Sequence, residues 1–344
     1  MTHNAASSRR FDFTLAGDTN LDLLLYGLPE DLPLEQELLA NAMAFRLGGS
    51  AAITAHNLAA LGNSVGFIST LTSDDAGQRC RHELDTVGVD LSRSIQPHHA
   101  SNTQTGVTVH LQHRVHRHMF TYAGTTFDLN ASDLDLGYLS DARHFHMASY
   151  YLQRALTPEI PALFASLKRA GLTISLDTND DPSQRWDRGI LDALPYVDVL
   201  LPNEREACLL AQQSDPDKAI ATLRNLVPLL VIKRGAKGAT AYSASEHWSS
   251  PARSMQVVDA VGAGDSFNAG FLHAWLRGWP IERALAFGNL TGGWSTTTAG
   301  GTAAFATKQS LAALNSAWGN TETTGNVDQT PGRDSSSTAM HRLK

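Results

Sequence analysis

The sequence predicts an α/β protein: a three-layer sandwich with a mainly parallel central sheet and a small β-sheet lid. Apolar segments of strand length alternate with helical patterns along most of the chain, for example residues 65–70 before residues 74–87. Polar residues follow several of these strands directly, as expected where an open α/β sheet binds its ligand. The lid is predicted from two alternating segments, 106–111 and 118–122, which a polar turn joins into a β-hairpin.

Each further element rests on a local pattern. A strand over 11–16 is followed by polar residues 17–22, which we expect to form a turn. The small residues of 51–62 predict a helix that ends at Gly62, since glycine is typical of helix C-termini. Beyond the hairpin the alternation resumes, with strands predicted at 142–148, 172–176, 197–201 and 229–233, and helices at 160–170, after Pro202 and from Asp265 to Leu276.

Composition narrows the possible functions. The 344 residues suffice for one large α/β domain or two smaller ones. A formal net charge of −7 argues against a general binder of nucleic acid or anionic membranes, because both need a basic face. Cys80 and Cys208 fit no metal-binding spacing and indicate a reducing compartment, so we expect a cytoplasmic protein. We find neither the apolar segment of a signal peptide in residues 1–10 nor an apolar run of the about 18 residues that cross a bilayer.

Residues 257–276 contain the central functional pattern. Gly262, Ala263 and Gly264 precede a predicted helix, so its first N–H groups stay uncovered and form an anion site together with the helix dipole. Asp265 lies in the first helical turn, where a carboxylate beside a bound phosphate can take a proton from an attacking hydroxyl. The alternative is that Asp265 only caps the helix, where aspartate is favoured in any case.

Polar side chains also stand at the ends of other predicted strands. Asn20 and Asp22 follow the first strand, where they can hydrogen-bond sugar hydroxyls or simply form a solvated turn. Asn203 and Glu206 follow a later strand, and their spacing places both on one side of a first helical turn. There they can hold the water shell of a Mg²⁺ ion or form a capping box, and the two interpretations are compatible.

The predicted hairpin is rich in histidine. His110, His113, His116 and His118 could suggest a metal site, because histidine is a common ligand. However, two of them fall at the predicted hairpin tip, and no cysteine or carboxylate completes a ligand set. We therefore expect solvated lid residues rather than a structural metal site.

Three common ligand-binding motifs are absent from the sequence. There is no GxxxxGK[ST] phosphate loop and no GxGxxG motif closing a first βαβ unit. A GxSxG nucleophile elbow is also missing. These absences argue against a Walker-type ATPase and a dinucleotide dehydrogenase.

With these elements in place, the chain resembles the ribokinase-like (PfkB-type) carbohydrate kinases over about residues 11–315. Residues 259–271, DAVGAGDSFNAGF, resemble the C-terminal signature of that family, and the Gly48-Gly49 segment resembles its N-terminal signature less closely. The resemblance implies a ribokinase-like three-layer sandwich with a lid from about 20–47 and 104–124. Residues 1–10 and the polar tail 319–344 are expected to be disordered.

The resemblance also implies roles for individual residues. Asp265 matches the catalytic base, and Gly262, Ala263 and Gly264 match the anion hole. The positions that match the nucleotide and magnesium site are Asn203, Glu206, Lys233, Arg234, Gly235 and Gly238. Those that match the sugar site are Asn20, Asp22, Gly49 and Ile53. Ile53 departs from the family pattern, because an asparagine that reaches a substrate hydroxyl is common there, and Ala260 replaces the usual hydroxyl residue.

The same resemblance implies ATP and Mg²⁺ as cofactors. An activating K⁺ often sits near the signature in this family, and the matching positions are Asp259 and Val261, with the loop around 295–300. Hairpin lids in the family often pair between subunits, which implies a homodimer through the lid. The exposed edge of such a hairpin gives a physical reason to pair.

We therefore predict an ATP-dependent kinase that phosphorylates a primary hydroxyl of a small sugar or sugar derivative. One alternative is a nucleoside acceptor, because Ile53 beside an apolar lid suits a base better than a hydroxyl. A second is a sugar- or nucleotide-binding regulator without catalysis, against which the intact Gly262–Asp265 segment argues.

Overall fold

The computed structural model describes residues 9–97, 103–113, 117–187 and 189–324. Twelve strands in these residues form two separate sheets. The strands are β1 (Phe11–Ala16), β2 (Asn20–Tyr26), β3 (Ala42–Gly48), β4 (Val65–Ile68), β5 (Gly106–Gln112), β6 (Arg117–Tyr122), β7 (Ala142–Met147), β8 (Thr173–Leu176), β9 (Val199–Leu200), β10 (Leu229–Lys233), β11 (Ala239–Tyr242) and β12 (His247–Ser250).

The larger sheet has the order β12-β11-β10-β9-β8-β7-β1-β4. All its pairings from β10 to β4 are parallel, and β11 and β12 add an antiparallel edge. The predicted strands of this sheet are confirmed, with β1 and β10 at the expected residues. Because parallel strands end at the same edge, their polar C-terminal residues are gathered on one side of the molecule.

Helices cover both faces of the larger sheet, as the sandwich prediction requires. The helices are α1 (Ser50–Ala60), α2 (Asp75–Thr86), α3 (Leu136–Ser140), α4 (Ile160–Arg169), α5 (Ile190–Ala193), α6 (Glu204–Leu210), α7 (Pro216–Leu223), α8 (Ala263–Leu276), α9 (Ile281–Ser295) and α10 (Lys308–Thr324). One buried cluster joins the sheet to α1, α2, α8, α9 and α10, and the other joins it to α3–α7.

The smaller sheet, β3-β2-β5-β6, is the lid. The predicted hairpin is confirmed as the antiparallel pair β5–β6, and β2 joins it through a parallel pairing with β5. The expectation of a polar turn over 17–22 is wrong beyond Thr19, because Asn20 and Asp22 lie within β2. Asn20 and Asp22 are residue types that favour turns, but here they pair across strands with Gly48 and Arg46 in β3.

The lid histidines correct a second expectation. His110 and His113 are only 5% and 8% exposed, so they are not solvated. His113 Nδ1 lies 2.5 Å from the Pro29 carbonyl, and its Nε2 lies 2.8 Å from His118 Nδ1. His116 lies outside the described residues. Within the described part of the chain, no three His, Cys, Asp or Glu side chains converge in a way that could hold a metal ion.

The ends of the domain also differ from expectation. Arg9 donates to the carbonyls of Ala142 and Ala170, so it is ordered against the core rather than disordered. At the other end, α10 continues past Gly319 into the segment expected to be disordered. Residues 1–8 and 325–344 lie outside the described residues. No helix within the described ranges is long and apolar enough to cross a membrane.

Candidate active site

The glycine segment before α8 forms a tight turn against a neighbouring loop. Gly262 is the N-cap of α8 and has a left-handed φ of 71°. A Cβ atom there would overlap the Cα of Gly301, so only glycine fits. No side chain caps the helix, and the N–H groups of Gly264 and Asp265 in the first turn have no carbonyl partner within the helix. The Ala263 N–H makes a long bond, 3.3 Å, to the carbonyl of Ala260.

Asp265 is not the cap of α8, because the N-cap is Gly262 and makes no side-chain cap bond. Its side chain is buried at the mouth of the helix, and the residue is 7% exposed. The pKa of Asp265 is raised to about 8, first by burial and then by the nearby carboxylates of Asp177 and Asp18. Lys233 and a hydrogen bond with Ser50 act in the opposite direction. A buried carboxyl group whose pKa lies near neutrality is a typical general base.

A lysine lies beside this carboxyl group. Lys233, at the end of β10, donates to Asp177 Oδ2 at 2.5 Å, and its Nζ lies 3.4 Å from Asn268 Oδ1 in α8. Burial alone would lower the pKa of Lys233, but attraction to Asp177, Glu206 and Asp265 outweighs burial and raises it. A Cβ atom on Gly264 would lie 3.6 Å from Nζ, so this positive charge stands next to the glycine turn.

Asn203 and Glu206 form the capping box of α6. The Asn203 side chain accepts from the Glu206 N–H at 2.9 Å, and Glu206 Oε2 accepts from the Asn203 N–H at 2.9 Å. Burial, followed by repulsion from Asp177, raises the pKa of Glu206 to about 7. Such repulsion between carboxylates indicates a place where added positive charge would be stabilising. The two hydrogen bonds confirm the capping box, and the Glu206 side chain also lies close enough to Asp177 and Lys233 to interact with their charges.

The turn after β10 gives its residues different surroundings. Arg234 donates to Glu204 at 3.0 Å, to Thr240 at 2.9 Å and to Tyr242 at 3.2 Å, so its guanidinium is held at the edge of the sheet. Gly235 and Gly238 both have positive φ angles, 54° and 93°. They shape the turn between β10 and β11 rather than supplying side chains.

The lid brings Asn20 and Asp22 to the same side of β2, facing the main domain. Asn20 Oδ1 accepts from Thr126 Oγ1 at 2.6 Å. Asp22 is buried, and its Oδ1 lies 3.4 Å from His110 Nε2 on the neighbouring strand β5. The absence of a side chain at Gly48 leaves the space that the Asp22 carboxylate occupies. This side of the site therefore consists of polar side chains from a separate sheet.

The start of α1 lies between the polar lid residues and the glycine turn. Gly49 is its N-cap, with a φ of 88°, and the Asp18 carboxylate accepts from the N–H groups of Ser50 and Ala51 at 3.2 and 3.4 Å. Burial raises the pKa of Asp18 to about 6. Asn179 Nδ2 donates to Ser50 Oγ at 2.9 Å, which ties this helix start to the turn after β8.

Ile53 packs beneath the glycine turn. A Cβ atom on Gly301 would lie 2.9 Å from Ile53 Cγ2, and one on Gly262 would lie 3.4 Å from its Cδ1. The Asp259 carboxylate lies nearby and accepts from the N–H groups of Val261 and Gly300, each at 3.0 Å. Ile53 and Asp259 thus support the turn from two sides.

The sequence places Asp177 just past a predicted strand, at the edge where ligands are expected, but it assigned this residue no role. It gave no role to Asp18, Ser50 or Asn268 either. Asn268 lies one helical turn after Asp265, so a search of that helix face would have found it. Asp18 gave no separate signal, because aspartate is common in turns.

A buried carboxyl group, an uncovered helix start and a lysine thus lie together on a three-layer α/β fold, an arrangement suited to phosphoryl transfer. The pfkB family carbohydrate kinase model matches residues 13–308. The chain belongs to this family of sugar kinases.

Two curated relatives illustrate the family. An ATP-dependent ribose-1-phosphate kinase of Halopiger xanaduensis is 31% identical over 253 residues, which cover 71% of this chain and 78% of the relative. The fructoselysine 6-kinase of Escherichia coli is 27% identical over 245 residues, which cover 70% of this chain and 86% of that protein.

Solved structures share the fold. The ribokinase of Thermotoga maritima superimposes with a TM-score of 0.73 at 21% identity and covers 89% of this chain and 99% of its own. A fructokinase with bound ATP from Xylella fastidiosa gives a TM-score of 0.74 at 21% identity, covering 90% and 99%. These similarities confirm the ribokinase-like sandwich with its separate small sheet.

Proposed function

We propose that this protein transfers the γ-phosphoryl group of ATP to a primary hydroxyl of a small sugar or sugar derivative. The observation that carries the proposal is the position of Asp265. Its buried carboxyl group stands in the first turn of α8, beside the uncovered N–H groups of that turn and the Lys233 ammonium group. ATP as the donor is supported by the name of the Halopiger relative, an ATP-dependent kinase.

Asp265 acts as the general base in this proposal. It accepts the proton of the acceptor hydroxyl as the hydroxyl oxygen attacks the γ-phosphorus. Its raised pKa, about 8, suits the task because a base is most effective when its pKa lies near the working pH. The buried position also keeps water away from the transferred group.

The glycine turn and Lys233 stabilise the charge on the transferred phosphoryl group. The uncovered N–H groups of Gly264 and Asp265 lie at a helix start, and the helix dipole favours negative charge there. One oriented donor of this kind typically contributes about 3 kcal/mol to transition-state stabilisation. Asp177 and Asn268 hold the lysine ammonium group in place beside the turn.

Glu206 and Asn203 would hold Mg²⁺ through its water shell. The residues fit this ion, because Mg²⁺ prefers oxygen ligands and is usually bound by one or two carboxylates together with substrate phosphates. The raised pKa of Glu206 is the specific sign that positive charge is lacking at this point. When bound, the ion neutralises charge on the nucleotide phosphates.

The acceptor is held from the lid side. Asn20 and Asp22 would exchange hydrogen bonds with its hydroxyls, and Gly49 lets the backbone of α1 approach closely. The relatives named above act on ribose 1-phosphate and fructoselysine, which are both sugar derivatives. We therefore assign the acceptor to the same chemical class.

We further propose that two copies pair through the outer face of the lid. Met43, Phe45 and Phe120 alternate with the inward-facing polar residues, and are 60%, 38% and 57% exposed. An apolar face of this kind is a typical protein interface. Light scattering should give a dimer mass for the purified protein, and a Phe45→Glu/Phe120→Glu variant should be a monomer. A wild-type protein that is monomeric at micromolar concentration would contradict this pairing.

The proposed reaction is tested by measuring ADP formation against panels of sugars, sugar phosphates, sugar acids and nucleosides. We expect ADP to form with a sugar or sugar derivative, and mass spectrometry of the product should show one added phosphoryl group. If ADP is released only with nucleosides, the acceptor is a nucleoside and the proposed acceptor class is wrong. Ligand-induced thermal stabilisation without ADP formation for any acceptor would indicate a binding protein instead.

A further inference from the structure

The Asp259 carboxylate is buried and has four hydrogen-bond donors. Two are main-chain N–H groups, those of Val261 and Gly300. The other two come from the lid: the Tyr26 hydroxyl donates to Oδ2 at 3.0 Å, and Gln112 Nε2 donates to Oδ1 at 3.1 Å. A carboxylate has about four acceptor sites, so this group is saturated by protein donors.

The two lid donors come from neighbouring strands. Tyr26 in β2 and Gln112 in β5 are direct cross-strand partners, so they reach the same carboxylate from adjacent positions. Burial and the negative charge of Asp259 raise the pKa of Tyr26, so its hydroxyl keeps its proton and remains a donor. Both side chains lie on the inner face of the lid, which also contains Asp22.

Arg46 makes a third connection from the lid. From β3 it donates through Nε to the carbonyl of Ala299 at 3.0 Å. Its aliphatic stem lies against Gly300, where a Cβ atom would come within 2.6 Å of Arg46 Cγ. The Ala299 carbonyl, in the loop at 295–300, therefore already accepts a hydrogen bond from a positively charged guanidinium.

These contacts reach the anion hole directly. Asp259 accepts from the Val261 N–H, one residue before the Gly262 turn. The loop that Arg46 holds continues into Gly301, which packs against Gly262. Asn57 ties the same loop to α8, because its Nδ2 donates to the Gly301 carbonyl at 3.0 Å and to Ser266 Oγ at 2.9 Å. The position of the turn therefore depends on the lid.

A K⁺ ion, for which the resemblance suggested Asp259, Val261 and the loop at 295–300, does not fit these surroundings. The carboxylate has its full number of donors, and the Ala299 carbonyl already accepts from a cationic side chain. An added cation would have to displace these donors and would stand close to a like charge.

We propose that Tyr26, Gln112 and Arg46 are positioning residues that hold the anion-hole turn in place of an alkali cation, so phosphoryl transfer by this protein does not require K⁺. This inference rests on the proposed role of residues 262–265. It also means that the lid, which receives the acceptor, orders the phosphoryl side of the site.

The test measures hydrogen–deuterium exchange of the segment 259–264 with ATP and Mg²⁺ present, in potassium chloride and in tetramethylammonium chloride at equal ionic strength. We expect wild-type exchange to be equal in the two salts. Tyr26→Phe removes one donor to a charged group, and should raise exchange in this segment roughly tenfold. Gln112→Leu should have the same effect, and Tyr196→Phe, on a partly buried tyrosine far from the lid, should have none. The melting temperature checks that each variant is folded.

Turnover gives the second readout, with the best acceptor from the ADP panel. We expect equal kcat in the two salts for wild type, and a roughly tenfold lower kcat for Tyr26→Phe. A several-fold activation of wild type by potassium chloride would overturn the proposal. So would unchanged exchange at 259–264 in both lid variants, or increased exchange spread over the whole domain, because a merely structural contact would loosen more than this turn. The exchange measurement needs no acceptor, so a protein that forms no ADP would contradict the proposed function and leave this test intact.

Discussion

The two sides of the candidate site are built in different ways. The proposed phosphoryl side consists of a helix start, a glycine turn and a lysine at the end of a central strand, all within the main domain. The proposed acceptor side consists of side chains on the lid, a separate sheet. In the proposed reaction, the phosphoryl side combines main-chain N–H groups with the Asp265 and Lys233 side chains, whereas the acceptor is bound by side chains of the lid. Substitutions on either side can test this proposed division.

Asp265→Asn should lower kcat by roughly a hundredfold or more, because the variant keeps the shape of the side chain but removes the base. Nucleotide affinity, measured by calorimetry, should be nearly unchanged. Asp192→Asn in α5, an exposed position, is the matched control and should retain full activity. Near-normal turnover in Asp265→Asn would contradict the assignment of the base.

Lys233→Met should also act on the phosphoryl side, with a kcat roughly tenfold to a hundredfold lower. It leaves the Asp177 carboxylate buried without its cation, so the free energy of unfolding should fall by about 3 kcal/mol. The double variant Lys233→Met/Asp177→Asn should regain much of the stability but not the rate. Recovery of both would mean that Lys233 serves only the ion pair.

Asp22→Asn tests the acceptor side. Removal of the charge should raise the KM for the acceptor roughly tenfold to a hundredfold, because hydrogen bonds to charged groups contribute about 1.5–3 kcal/mol. The KM for ATP should stay within about twofold, since Asp22 is proposed to contact only the acceptor. A change in the KM for ATP as large as that for the acceptor would remove the proposed division between the two sides.

The raised pKa of Asp265 predicts the pH dependence of activity. The base must be ionised, so kcat/KM should rise with pH and level off above about pH 8, with a roughly tenfold decrease for each pH unit below it. The profile is measured at saturating ATP and low acceptor concentration. A profile that is flat between pH 6 and 9 would be incompatible with this base.

The same pKa shift predicts a stability effect of Asp265→Asn. The pKa of Asp265 is higher in the folded protein than its ordinary value of 3.8, so folding favours the protonated form. Its stabilising contribution is therefore complete below about pH 4 and is lost as the pH rises to about 8. Asp265→Asn should raise the melting temperature by roughly a few degrees at pH 8 and hardly at all at pH 4. An equal gain at both pH values would indicate a cause other than titration.

Much of the fold was predictable because its signals are local. The strands β1 and β10 lie at the predicted residues, since short apolar segments between polar turns define them almost alone. The glycine turn and Asp265 were likewise predicted from one continuous segment. A site of this kind can be predicted because the residues that form it are neighbours in the sequence.

The rest of the site depends on contacts between distant residues. Lys233 was expected at the border of the nucleotide, and its bond with Asp177 joins positions that are 56 residues apart. Ile53 was expected at the acceptor, and its contacts with Gly262 and Gly301 on the glycine turn were not predicted. His110 was expected to be solvated and instead lies beside Asp22. The sequence pattern predicts which strand or helix contains each of these residues. It does not predict which side chains come into contact when the two sheets pack together.

The contact between Tyr26 and Asp259 joins residues 233 positions apart. During synthesis the lid strand β2 leaves the ribosome long before its anchor, and its neighbour β5 also follows late. Contacts that close such long loops form slowly, and until then the inner face of the lid, which includes the apolar Leu24, is exposed to other chains. Expression yield should therefore depend on chaperones and growth temperature more strongly than the stability of the finished protein would suggest.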